Sequence, residues 1–125
     1  MSAKEVVESF WTIMMSNDFF AASRCLSPDY ELSWPQSAER IVGPDNFAAV
    51  NTHYPANGVW QFEINSLVAE GETVVSDVTV TDGVFKARAI TFSTVRDDKI
   101  VKQIEFWPDH YDAPDWRKQW VEPLS

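Results

Sequence analysis

Cysteine is almost absent from this chain: Cys25 stands alone, so no internal disulfide can form, and a lone thiol agrees with a reducing compartment. Bases are scarce as well. Ten Lys and Arg face nineteen Asp and Glu for a formal net charge of -9, which repels phosphate backbones and anionic bilayers and argues against nucleic acid or a membrane surface as partner. The four glycines form no phosphate-cradling loop, and no Ser-His-Asp or Cys-His arrangement stands out. His53 and His110, the two histidines, lie far apart among scattered carboxylates without metal-ligand spacing, so neither a metal nor a cofactor is expected. No apolar run approaches the roughly 20 residues that span a bilayer. Met1-Ser-Ala-Lys-Glu5 also lacks a basic stretch followed by an apolar one, so the expectation is a soluble, cytoplasmic protein.

Aromatic rings are plentiful: six Trp, eight Phe and three Tyr suit either a dense core or a cavity walled by rings. The 125 residues fit one domain, 1–125, with one hydrophobic core. Ser2 and Glu5 form a capping-box pattern, and Val6, Phe10, Ile13 and Met14 recur at helical spacing to about Ser16. Asn17-Asp18 stops that helix and caps a second through Phe19, Ala22 and Leu26, a stretch that includes Cys25 and ends at Ser27-Pro28. Tyr30, Leu32 and Trp34 alternate on a short strand that Pro35 breaks. Gly43-Pro44 opens a third helix with Phe47, Val50 and Tyr54 as its stripe. Strands near 59–69, 73–81, 84–96 and 99–107 follow, joined by links so short that only antiparallel neighbours are allowed. Helices followed by a meander predict an α+β fold. Pro114–Trp120 forms one or two helical turns with Trp116 and Trp120 on one side, to be covered by the sheet or a second subunit.

The last strand carries the chemistry. Alternation along Lys99–Trp107 puts Val101, Gln103, Glu105 and Trp107 on one face and Ile100, Lys102, Ile104 and Phe106 on the other, leaving Glu105 among apolar side chains on either face. Burial without a compensating cation raises a carboxyl pKa toward neutrality, as a general acid or base requires. The inert alternative is an ion pair with Arg88 or Lys86 across the sheet. Asp77 shares a face with Val75, Thr79 and Thr81 and is either a second cavity acid or a solvated one. If both acids face the cavity, their repulsion splits the two pKa values.

The order helix, helix, strand ending Trp34-Pro35, Gly43-Pro44 helix, then a four-strand meander ending Glu105-Phe106-Trp107 resembles the nuclear transport factor 2-like superfamily, and within it the SnoaL-like polyketide cyclase group. The most specific pieces are Leu26-Ser-Pro-Asp-Tyr30, Glu70-Gly71 before Val74-Val75, and Arg96-Asp-Asp-Lys-Ile-Val-Lys-Gln-Ile-Glu-Phe-Trp107. The resemblance implies a cone: a curved antiparallel sheet wrapped around N-terminal helices, with an apolar cavity at its open end and frequent homodimerisation. It also implies that Glu105 occupies the position of a catalytic aspartate in the cyclases and limonene epoxide hydrolases. The latter's Arg-x-Asp pair has no counterpart where this chain reads Asp77-Val78-Thr79, so epoxide hydrolysis is not expected.

Members of that superfamily include isomerases, cyclases, dehydratases and non-catalytic binders, so fold does not fix function. The leading expectation is a cofactor-independent isomerase, cyclase or dehydratase acting on a small apolar carbonyl compound. Glu105 moves a proton, Asp77 is a candidate second catalytic acid, Tyr30, Trp34 or His53 steadies a developing oxyanion, and Trp107, Phe10 and Met14 border the ligand. The competing expectation is a non-catalytic binder of a small apolar or aromatic ligand, or a dimeric assembly module, in which Trp34, Trp60 and Trp107 fill the cavity.

Overall fold

Ser2 and Glu5 close a reciprocal cap: the Ser2 hydroxyl accepts from the Glu5 amide at 3.1 Å and the Glu5 carboxylate from the Ser2 amide at 3.0 Å. Behind it α1 runs Ala3–Met14, in a computed structural model that describes residues 1–124. Its inner face buries Val6, Val7, Phe10, Trp11 and Met14, each worth about 1.5–3 kcal/mol for a fully buried large side chain. The helix ends at Met14, slightly short of the expected Ser16, and the chain turns at Asn17, whose positive φ of 62° asparagine tolerates. Asn17 also fixes where the helix ends point, because its side-chain amide exchanges two hydrogen bonds with the Trp60 backbone, at 2.7 and 2.9 Å.

The second helix is shorter than its sequence pattern. Asp18 caps α2 through the Ala21 amide, but α2 covers only Phe19–Ser23. Cys25 lies outside it, and Leu26 begins β1, Leu26–Trp34, because the Cys25 carbonyl is taken by the Ile100 amide of the last strand. Then come β2 (Glu39–Val42), α3 (Pro44–His53), β3 (Gln61–Glu70), β4 (Thr73–Thr81), β5 (Lys86–Arg96) and β6 (Lys99–Phe106). A 3-10 turn, Asp115–Trp120, follows.

The strands form one curved, unclosed sheet in the order β2-β1-β6-β5-β4-β3. The meander β3 to β6 is antiparallel as expected, whereas β1 joins β6 in parallel. The long crossover through β2, α3 and the meander makes that parallel pairing possible. Strand β2, which has no signal in the sequence reading, pairs antiparallel with β1 across the Pro35–Ala38 turn.

Helix α2 packs against α1 and α3, and these two pack on the inner side of the sheet. There Val74, Val78 and Val80 of β4, Ala89 of β5 and Ile100 of β6 meet α1 and Leu32 of β1. Simple alternation along β6 fails at one point. Val95 pairs Ile100 but Thr94 pairs Lys102, so Val101 is an extra, bulged residue. Ile100 therefore lies buried on the same side as Gln103 and Glu105, not opposite them, and Val101 leaves the buried set.

Candidate functional site

A cavity of about 640 Å³ opens at one end of the sheet, between α1, α3 and the ends of β1, β3 and β6. Phe10, Met14, Trp34, Glu105 and Trp107 line it together. Trp34, Trp60 and Trp107 wall the space and leave it open.

Glu105 is 8 % exposed, and a specific set of donors surrounds it. Trp34 reaches it from the end of β1 and Trp107 from just beyond β6, each placing its indole Nε1–H 3.0 Å from Oε1. On β5, Thr91 stands directly opposite Glu105 in the antiparallel register and donates its hydroxyl to Oε2 at 2.6 Å. Burial pushes the Glu105 carboxyl above its ordinary value, and the hydrogen bonds from Thr91, Trp34 and Trp107 offset part of that rise by stabilising the ionised form. No cation pairs with it among the described residues: Arg88 is spent on Asp77, and Lys86 lies at the cavity rim.

The remaining expected site residues go elsewhere, each for a local reason. Asp77 lies on the outer face of β4, where Arg88 grips it bidentately at 2.6 and 2.7 Å and holds its carboxyl below the usual range. The inner face at that point belongs to Ser76, which accepts the Trp11 indole N–H at 3.1 Å. Asp77 is thus no second cavity acid. His53 is exposed at the end of α3 with its Nδ1–H given to the Ala49 carbonyl, 2.8 Å away, and does not line the cavity. Tyr30 is fully buried below the cavity floor, and its hydroxyl donates to Gln103, whose amide in turn donates to Ser93. Burial and then the nearby Glu105 charge raise the Tyr30 pKa well above the ordinary tyrosine value, so it stays a structural donor.

Sequence reasoning missed several contributors. Thr91 is invisible until register is known. Trp11, Phe47 and Phe62 extend the apolar wall, and Glu39, Asp109 and His110 join Lys86 at the rim. Among the described residues no group of three His, Cys, Asp or Glu is placed to hold a metal, and no helix is long and apolar enough to cross a membrane.

A six-stranded curved sheet with helices on its concave side and a ring-walled cavity over one buried acid defines a small α+β ligand-cavity class. The model of the SnoaL-like domain matches residues 7–103, and the chain belongs to that family, within the nuclear transport factor 2-like superfamily. Among solved structures, a Kribbella flavida protein provisionally assigned as a ketosteroid isomerase is 25% identical, with a TM-score of 0.90 over 98% of this chain and 90% of that one. An NTF-2-like protein of unknown function from Burkholderia xenovorans is 27% identical, with a TM-score of 0.81 over 98% and 95% of the two chains. An LEH-like epoxide hydrolase from M. tuberculosis shares the fold at 19% identity, with a TM-score of 0.69 over 85% and 82%. A search of the curated proteins finds no match.

Proposed function

We propose that this protein is a cofactor-independent proton-transfer enzyme, an isomerase, cyclase or dehydratase, that acts on a small, mostly apolar carbonyl compound with Glu105 as the base. One observation carries this reading: a buried carboxylate with no cationic partner among the described residues faces an open, ring-walled cavity. In the proposed step Glu105 takes a proton from the carbon beside the carbonyl. The C–H bond breaks, an O–H bond forms on Glu105, and the electron pair moves to the carbonyl oxygen as an enolate. In an isomerase Glu105 then returns the proton at a second carbon. In a dehydratase the enolate pair expels a β-hydroxyl that leaves as water with that proton. In a cyclase the enolate carbon bonds to a second carbonyl carbon of the same molecule, whose oxygen takes the proton. None of the three needs a co-reactant. The likeness to the Kribbella flavida protein supports this class of chemistry.

The oxyanion donors expected from sequence are engaged elsewhere: Tyr30 serves Gln103, Trp34 serves Glu105, and His53 is outside. Tyr54 and Trp60 take that role in the proposal. Both line the cavity, their rings meet edge-on at 6.1 Å, Tyr54 is 54% exposed, and the Trp60 indole N–H, without a partner among the described residues, is not fully buried, so both tips reach solvent.

Proton exchange tests the reading. A panel of enolisable cyclic ketones incubated in D2O, followed by proton NMR, should lose α-protons with the native protein. Glu105→Gln should slow that exchange by about 10²–10⁴-fold. Exchange at the native rate in the Gln variant removes Glu105 as the base.

A second copy of the chain is the proposed partner, in the cytoplasm, where Cys25 stays a thiol. Two apolar features support it. The outer face of the sheet carries Phe92, 42% exposed, against Phe106, and the segment after β6 presents Trp116 and Trp120, each 71% exposed. The non-catalytic reading, a binder or assembly module, draws on the same two features.

A further inference from the structure

The two oxygens of the Glu105 carboxylate stand in different surroundings. A carboxylate offers about four lone-pair sites, and an indole N–H is a donor that cannot accept. Two indoles, Trp34 and Trp107, converge on Oε1 at 3.0 Å each and occupy both of its sites. A proton placed on Oε1 would point at an N–H and break one of these bonds. Oε2 has a single partner, the Thr91 hydroxyl at 2.6 Å, and that hydroxyl can turn from donor to acceptor.

We infer that Trp34, Trp107 and Thr91 form a positioning cradle that confines proton exchange at Glu105 to Oε2, with Oε1 held as a permanent acceptor of two indoles. The inference rests on the reading of Glu105 as the base, and it deepens that reading by naming the reacting oxygen and the side chains that select it.

The cradle also narrows the substrate class. All three donors around Glu105 are spent on the carboxylate itself, so a substrate oxygen brought to this wall would meet no free hydrogen-bond donor from the cradle. The fitting substrate presents an acidic C–H to Oε2 and keeps its carbonyl oxygen on the far side, toward Tyr54 and Trp60. A carboxylate or phosphate group at the acid is disfavoured by like charge.

Other titratable groups nearby leave this selection intact. Tyr30 on β1 donates to Gln103, while Glu39 of β2, Lys86 of β5 and Asp109 and His110 beyond β6 line the cavity without an ion pair or hydrogen bond to Glu105.

The test follows the Glu105 side-chain carboxyl by carbon NMR and the Trp34 and Trp107 indole N–H signals by nitrogen-proton NMR, through one pH titration of the native protein. Both indole signals should follow the carboxyl titration and keep their protection from solvent exchange on either side of it. Trp34→Phe, Trp107→Phe and Thr91→Val should each move the carboxyl midpoint upward by about one pH unit, and Thr91→Ser should restore it. A merely structural role would lower stability in these variants without moving the midpoint. An indole that loses protection as Glu105 protonates places the proton on Oε1 and overturns the inference. So do midpoints that stay put in both Trp variants. None of these readouts needs turnover, so a protein that exchanges no ketone proton yet shows the indole and carboxyl behaviour above retains its cradle and loses only the catalytic reading.

Discussion

Trp34 donates its indole N–H to Glu105 at 3.0 Å across 71 residues of sequence, tying the last residue of β1 to the acid near the end of β6. The parallel β1–β6 pairing makes this contact possible, because both strands run toward the cavity end of the sheet. The acid is thus held by long-range topology, while Trp107, two residues further along, completes the pair locally.

The raised pKa of Glu105 has a signed consequence for stability. The folded protein favours the protonated acid, so the Glu105 contribution is fully present below the unfolded carboxylate value near 4.5 and is lost as pH rises through the higher folded value. Glu105→Gln removes that loss, and the amide suits the cradle: its oxygen accepts from two indoles and its NH2 donates to Thr91. The melting temperature of Glu105→Gln relative to the native protein should therefore rise between pH 4 and neutrality. A difference that stays flat or falls across that window contradicts the burial account.

Tyr30→Phe separates structure from chemistry. Loss of the hydroxyl strands the buried Gln103 oxygen, and urea unfolding should show about 1–3 kcal/mol of destabilisation. Ketone proton exchange by the folded variant should stay near the native rate. A large loss of exchange at unchanged stability would return Tyr30 to the catalytic set.

Asp82 ties the Asn57 segment to the turn between β4 and β5. Its Oδ1 accepts from the Val84 and Phe85 amides at 3.0 and 2.7 Å, and its Oδ2 from the Asn57 amide and side chain at 2.8 and 3.1 Å. These bonds, led by the Asn57 backbone, lower its pKa to about 2. The stability they supply is present above the ordinary carboxylate range and lost as pH falls toward that value. Asp82→Asn replaces one acceptor oxygen with donors that face other donors. Amide hydrogen exchange at Asn57, Val84 and Phe85 should accelerate while α1 amides stay protected.

Self-association is checked by sedimentation. The native protein should run as a dimer at micromolar concentration. Phe92→Lys with Phe106→Lys on the outer face, or Trp116→Ala with Trp120→Ala, should shift it toward monomer without changing the helical signal in circular dichroism. A native monomer would contradict the proposed partner.

Much of this molecule is legible in the sequence where local chemistry decides: the Ser2–Glu5 cap, the Asn17 stop, the Asp18 cap, and strands β3 to β6 with their short turns. The apolar surroundings of Glu105 are legible too, because both faces of its strand are largely apolar, whereas the face that turns inward is not, since the bulge at Val101 breaks the alternation. What stays hidden depends on pairing between distant segments. Thr91 gains its place only from the β5–β6 register, and β2 exists only because β1 offers it an edge. Asp77 illustrates the limit of face assignment: period two groups it correctly with Val75 and Thr79, yet only the packing of Trp11 on Ser76 shows which group points inward.

The extra residue at Val101 acts as a phase shifter. Upstream of it the buried position is Ile100, and downstream the buried positions are Gln103 and Glu105, so the count between core anchor and acid is odd where a regular ribbon needs it even. Excising Val101 would restore regular pleating with Ile100, Gln103 and Glu105 still on the inner face, whereas flattening the bulge with Val101 retained would turn the acid onto the outer surface and bring Ile104 into the cavity wall. The bulge thus decides whether this scaffold carries a carboxylate or a hydrocarbon at its reactive end, and relatives of the same length that lack the bulge are where a change of chemistry should be sought.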